Sequence, residues 1–248
     1  MGYAVQWVRS LAFSVQMYAM MPLMALVFLP AAVFSRKAVY AYIKTYARYV
    51  RWTLGWMTGL KTEVRGEVPT DEVLIAAKHQ SFLDVVIIVS VAWNPRFIIK
   101  QELHRMPIFH FFGTRMGNVP VNRGKRGKAI TKMMEDVESG KNLRGQLVIY
   151  PQGTRIPPGV RAPYKIGTAL LYEQTGLDCV PAATNVGVFW PKRGVYRKPG
   201  LAVVEFLPRI PAGKPKDEFM AELENAIETA SDRLLEEAGF KPKADETL

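Results

Sequence analysis

From Leu11 to Phe34 the chain reads LAFSVQMYAMMPLMALVFLPAAVF without one charged residue, which leaves such a segment few places to go. It exceeds the roughly 20 apolar residues that cross a hydrocarbon core as a helix. A cleaved signal sequence fits poorly, because its apolar region is usually about 7–15 residues long and no A-x-A site closes this run. Burial inside a soluble core accounts for the apolar residues but not for the charges around them. Residues 1–62 hold no Asp or Glu, yet carry Arg9, Arg36, Lys37, Lys44, Arg48, Arg51 and Lys61. Basic flanks favour the cytoplasmic side of a bilayer, so both ends of the run are expected to stay on that side. Pro22 and Pro30 each remove a backbone donor and are expected to kink or break the helix. Residues 38–60 then interleave Tyr, Trp, Lys and Arg, the make-up of a helix lying at headgroup level. The expectation for residues 1–61 is a kinked, partly re-entrant two-helix anchor in the lipid bilayer.

Charge narrows the partners. Lys and Arg number 33 against 22 Asp and Glu, so the partner should be anionic. Nucleic acid is disfavoured, since most aromatics lie in the apolar anchor or in strands rather than along an exposed basic stripe. Cys179 is the only cysteine, and the three histidines sit at no metal-ligand spacing, so neither a disulfide nor a bound metal is expected.

After Lys61 short apolar runs alternate with helical stretches, the pattern of an α/β layered domain. Strands are expected over Val73–Ala77, Phe97–Lys100, Gln146–Tyr150, Cys179–Thr184 and Leu201–Leu207. Helices are expected near Ser81–Ala92, Arg126–Ser139, Ile166–Thr175 and Asp217–Ala238. In the last, Phe219, Leu223, Ile227 and Leu234 recur at helical spacing and Gly239 supplies a stop; its acidic face reads as solvated. The fold class is therefore α/β, a mixed sheet flanked by helices over 62–248, carrying the helical anchor in front.

Three segments bring polar chemistry to strand ends, where loops commonly display reactive groups. In VLIAAKHQSFLDVVIIV, His79 follows a strand and Asp84 begins an apolar helix. An imidazole can accept a proton near neutrality, and a carboxylate beside it can hold its tautomer. The spacing is also met by chance, and Ser81 with Asp84 three residues on is equally a helix-capping signature; both readings stand. In QLVIYPQGTR, a strand runs into Gly153, Thr154 and Arg155, which suits either a phosphate cradle or an ordinary turn. Between them, Lys100 and Arg123 follow apolar strands as His79 does, which makes them better candidates for a shared cleft than Lys125, Arg126 or Lys128.

In this order, KHQSFLD, GNVPVNR, YPQGTR and VPAATN resemble the four conserved blocks of the glycerolipid acyltransferases, particularly the 1-acylglycerol-3-phosphate acyltransferases. The likeness covers residues 73–185, and the acid-free N-terminus is similar to that family's membrane-embedded helical motif. The resemblance implies that His79 is the general base and Asp84 its partner. It also implies that Lys100, Arg123 and Arg155 bind the acceptor's phosphate, that Gly153 and Thr154 shape that block, and that Val180 and Pro181 make acyl-donor or pocket contacts. Lysophosphatidate is the implied acceptor, acyl-CoA or acyl-carrier protein the co-substrate, with no further cofactor and the active site facing the cytoplasm. Three positions depart from the family pattern: Lys78 stands for the usual Asn, Gln152 for the usual Glu, and Asn122 where Asp is common. The lost charge at Gln152 keeps open another lysolipid as acceptor, and a non-enzymatic basic scaffold is the reading from a different class.

Overall fold

The computed structural model describes residues 2–122, 126–139 and 143–241. Helix α1 (Tyr3–Phe34) turns at Ser35 into α2 (Arg36–Thr58). The two run antiparallel, because partners descend along α1 as they climb α2: Tyr42 Oη donates to Met21 O (2.9 Å), Tyr46 Oη to Met17 O (3.0 Å), and Gln6 Nε2 to Thr58 O (2.8 Å). The prolines do not break α1, which continues through both Pro22 and Pro30. The partner helix supports the turns that lead into Pro22, since the Tyr46 and Tyr42 hydroxyls donate to Met17 O and Met21 O, both just before it.

Seven strands follow: β1 (Leu60–Arg65), β2 (Leu74–Ala77), β3 (Arg96–Lys100), β4 (Val119–Val121), β5 (Leu147–Ile149), β6 (Cys179–Thr184) and β7 (Gly200–Phe206). Their order is β1-β7-β6-β2-β5-β3-β4. The block from β6 to β4 is parallel throughout, and only the β6–β7 junction is antiparallel. Helices α3 (Leu83–Val91), α4 (Gln101–His104), α5 (Pro107–Met116), α6 (Arg126–Ser139), α7 (Gly167–Thr175) and α8 (Lys216–Glu237) complete the layers. The mixed sheet flanked by helices is thus as expected, with five of its strands read to within a residue or so.

Alternation along the strands assigns the two faces. Ile75, Ala77, Val148, Val180 and Ala182 join a core with residues of α1, α2 and α3, whereas Leu74, Ala76, Leu147, Ile149 and Cys179 pack with α6, α7 and α8. The first core crosses the boundary at residue 61 without a break, since Phe13, Val50 and Leu54 belong to it together with sheet residues. The outer side of α1 is different in kind: Val15, Leu23, Leu26, Val27 and Phe34 are exposed, and α1 alone among the described helices is long and apolar enough to cross a membrane.

Because β2, β3, β4, β5 and β6 are parallel, their carboxyl ends meet at one edge of the sheet, the usual place for a site in such a fold. The segments beginning at His79, Lys100, Tyr150 and Asn185 all leave the sheet there.

Candidate active site

His79 Nδ1 lies 2.8 Å from Asp84 Oδ1. The other carboxylate oxygen, Oδ2, accepts the backbone N–H groups of Gln80 (2.9 Å) and Ser81 (2.8 Å), while Ser81 Oγ accepts from Leu83 N–H. Both contacts are present in one carboxylate: one oxygen of Asp84 accepts the backbone at the entry to α3 and the other faces the imidazole. An ionised carboxylate can only accept, so this contact suits an imidazole that carries its proton on Nδ1 and turns Nε2 outward as an acceptor. Asp84 is fully buried, whereas the His79 side chain keeps 15% of its surface open, enough to meet a substrate.

Tyr150, just past β5, lies under the imidazole with ring centroids 4.0 Å apart and planes 24° apart. Its hydroxyl is buried beside Asp84, and burial, with the Asp84 charge adding to it, pushes the phenol well above its ordinary value. Tyr150 therefore acts here as a neutral platform. The loop after it is tied back to the His79 turn, since Ile156 N–H donates to His79 O (2.8 Å). Gly153 has φ +70°, a conformation that L side chains rarely adopt, so the turn needs glycine for its backbone. From the other side Gly187 N–H donates to Gln80 Oε1 (2.9 Å).

Alternation places Ala77 and His79 on the face of the helical hairpin and Lys78 on the opposite face, toward α8. There Lys78, buried, pairs with Glu228 of α8; Glu228 also receives Arg161 Nη1 (2.8 Å) and the Tyr164 hydroxyl (2.9 Å). Burial pulls the Lys78 ammonium below its usual value, and Glu228 opposes that pull. This corrects the reading of the acidic face of α8 as merely solvated: Glu228 is inside the molecule, paired with Lys78 of the His79 turn.

The remaining sequence-predicted residues are placed as follows. Lys100 ends β3, half-exposed, with Glu102 as its ion-pair partner at 3.3 Å. Arg155 Nη1 donates to Lys192 O (3.3 Å), and Lys192 Nζ in turn reaches Thr154 Oγ1 (3.5 Å). Arg123 lies outside the described residues. Val180 and Pro181 are buried within β6, level with Ile75 and Ala76 of β2, and as neighbours on a strand they face opposite sides of the sheet. Val180 shares the His79 face. Gln152 is buried and its amide N–H₂ donates to Ala162 O (3.4 Å), a bond that a Glu at this position would not make. The structure thus joins the first and third blocks directly and leaves Lys100 on a separate ion pair. Tyr150 and Glu228 were not singled out from sequence; for Tyr150 the signal was its place at the head of YPQGTR, while Glu228 offered none. Among the described residues no group of three or more His, Cys, Asp or Glu is arranged to hold a metal.

A sheet whose parallel strand ends present a carboxylate-held histidine defines an acyltransferase here, because the sequence profile described as Acyltransferase matches residues 61–185, and the chain belongs to that family. Among its relatives is a 1-acyl-sn-glycerol-3-phosphate acyltransferase of Pseudomonas aeruginosa, 26% identical over 188 residues, which are 75% of this chain and 73% of that one. Another of the same description, from Saccharomyces cerevisiae, is 26% identical over 77% of this chain and 65% of its own length. The solved structure of the 1-acyl-sn-glycerophosphate (LPA) acyltransferase PlsC from Thermotoga maritima has the same fold, with a TM-score of 0.74 at 18% identity over 92% of this chain and 97% of that one.

Proposed function

We propose that the protein moves a fatty acyl chain from acyl-CoA or acyl-carrier protein to the sn-2 hydroxyl of 1-acylglycerol-3-phosphate, giving phosphatidic acid. The observation that carries this reading is the His79–Asp84 contact, found in a chain whose relatives bear that activity in their descriptions. His79 Nε2 takes the hydroxyl proton as the oxygen attacks the thioester carbonyl, and Asp84 steadies the imidazolium. The tetrahedral intermediate then collapses, the C–S bond breaks, and the leaving thiolate takes up the proton from His79. No acyl-enzyme is required, because the thiol of Cys179 is fully buried in β6.

Arg155, with Gly153 and Thr154, is the proposed seat of the acceptor's phosphate, joined by Lys100 and Arg123. Val180, on the His79 face, is the proposed wall of the acyl pocket, with Pro181 behind it. Residues 1–61 serve as the bilayer anchor and 62–248 as the catalytic part, with the site open to the cytoplasm where the thioester arrives. What supports this placement is the exposed apolar side of α1.

The test is transfer of labelled acyl chains by detergent-purified protein, with acyl-CoA and acyl-carrier protein as donors and lysophosphatidate and lysophosphatidylcholine as acceptors. Transfer to lysophosphatidate should fall at least about a hundredfold in His79→Ala. Transfer confined to lysophosphatidylcholine would overturn the acceptor, and undiminished transfer in the variant would overturn the base.

A further inference from the structure

A groove of about 390 Å³ opens between α2 and the edge strand β1, lined by Arg48, Arg51, Trp52, Gly55, Lys61 and Thr62. Three of these are cations and none is an acid. Arg51 is held rigidly, with Nε donating to Thr62 Oγ1 (2.8 Å) and Nη1 to Ser90 Oγ (2.7 Å). Arg48 and Lys61 are exposed and, among the described residues, have neither an ion pair nor a hydrogen bond. Such a concentration of like charge is unfavourable unless an anion shares it. The groove is not the catalytic centre: β1 stands three strands from β2 in the sheet, roughly 14 Å at about 4.8 Å per strand.

We infer that this groove is a second binding site, for the phosphate of an anionic phospholipid headgroup. Two observations favour a lipid over a soluble phosphate. Trp52 and Trp56 rise from the same side of α2, stacked with centroids 6.2 Å apart, and both are largely exposed, as aromatic residues at a membrane interface are. The phosphate would then lie at the level of the indoles, with its chains running along the apolar flank of the hairpin. The rest of the anchor, free of acids through residue 62, offers nothing to repel it. The site rests on the bilayer placement proposed above and is independent of the reaction at His79.

Gly55 allows a test that leaves charge untouched. A Cβ built there meets only Leu60 O, at 3.9 Å, so Gly55→Leu is accommodated by the backbone and fills the groove. Partition of the full chain is measured into phosphatidylcholine vesicles with and without one part in five of phosphatidylglycerol. Wild type should favour the anionic vesicles, and Gly55→Leu and the double variant Arg48→Gln/Lys61→Gln should each lose at least about tenfold of that preference. The double variant Arg36→Gln/Lys37→Gln removes the same charge at the hairpin turn and should lose much less. All variants should transfer acyl chains to detergent-dispersed acceptor within about twofold of wild type, showing that the fold is intact. Equal losses in the two charge variants, or an unaltered preference in Gly55→Leu, would overturn the site in favour of diffuse attraction. Displacement from anionic vesicles by millimolar glycerol phosphate would overturn the lipid as its ligand. Failure of wild type to enter either vesicle would sink the bilayer placement and the site with it, whereas binding to both with no preference would sink the site alone.

Discussion

Asp84 divides its two oxygens between two tasks, and substitution can separate them. In Asp84→Asn the amide oxygen can still accept from Gln80 and Ser81 N–H, so the entry to α3 survives, while the amide N–H₂ now points at His79 and forces the proton onto Nε2. Transfer should fall by about 10²–10⁴ with the unfolding midpoint nearly unchanged. Asp84→Ala should lose activity similarly and also about 1 kcal/mol of stability, the usual worth of a lost cap; equal stability in the two variants would remove the capping role. Cys179 supplies a contrasting case. Burial pushes its thiol well above the ordinary value of about 8.5. A raised value in the fold means that its contribution to stability is complete below about pH 8.5 and is lost as pH rises, at about 1.4 kcal/mol per pH unit. Cys179→Ala should therefore show a shallower alkaline decline in urea midpoint between pH 9 and 10 and should keep its transfer activity, whereas loss of transfer would reopen a thioester route. The sequence made His79, Asp84 and the buried cysteine legible because each lies inside a short motif or strand whose pattern is local. It could not show that Asp84 meets the imidazole and the backbone of the α3 entry at once, since that depends on which oxygen faces which donor.

Elements were readable where apolar residues run together or recur on one face. The parallel strands β2, β5 and β6 are buried along their whole length and α8 along one face, while β1 and β4 show neither pattern. Both are sheet edges; β1 went unread, and β4 was read only as an apolar strand before Arg123, without a range. In β1 only Leu60 is buried, so LKTEVR looks like a linker, and β4 carries Pro120, which an edge strand tolerates and a central one does not. Least visible of all was the contact of α8 with the catalytic turn, because Lys78 and Glu228 are 150 residues apart. The turn from β2 directs Lys78 into the layer of α8, and the pair is nearly dry on both sides. Breaking it should be costly, about 3–5 kcal/mol for a buried pair left with one charge. The cost should be asymmetric. Lys78→Met leaves Glu228 with Arg161 and Tyr164 as partners, whereas Glu228→Ala leaves Lys78 alone, so Glu228→Ala should lower the unfolding midpoint further. A larger loss in Lys78→Met would mean that Arg161, half-exposed, does not compensate.

At the scale of the whole molecule the anchor and the catalytic layer share one interior. Phe13 of α1 meets Trp190 edge-on (5.6 Å), Trp190 meets Phe82 of the catalytic turn (6.2 Å), and Arg197 covers the other part of the indole at 4.1 Å. Ser10 Oγ accepts Arg197 N–H (2.9 Å) and Gln6 Nε2 donates to Arg197 O (2.7 Å). The inner side of the hairpin is thus packed and its outer side is exposed, and the two should respond differently to change. Removing residues 2–59 would bare the sheet face that Val50 and Leu54 cover, so the remainder should aggregate and fail on every acceptor. Replacing Leu23, Leu26 and Val27 with Gln alters only exposed positions. That triple variant should fold, transfer acyl chains to a short-chain, water-soluble lysophosphatidate at close to the wild-type rate, and fall at least about tenfold on acceptor embedded in vesicles, because each large apolar side chain withdrawn from lipid forfeits about 1.5–3 kcal/mol. Rates measured on the two acceptors side by side decide the matter. Equal rates on both would mean that α1 faces something other than a bilayer, and parallel losses on both would mean that its outer side, too, supports the fold.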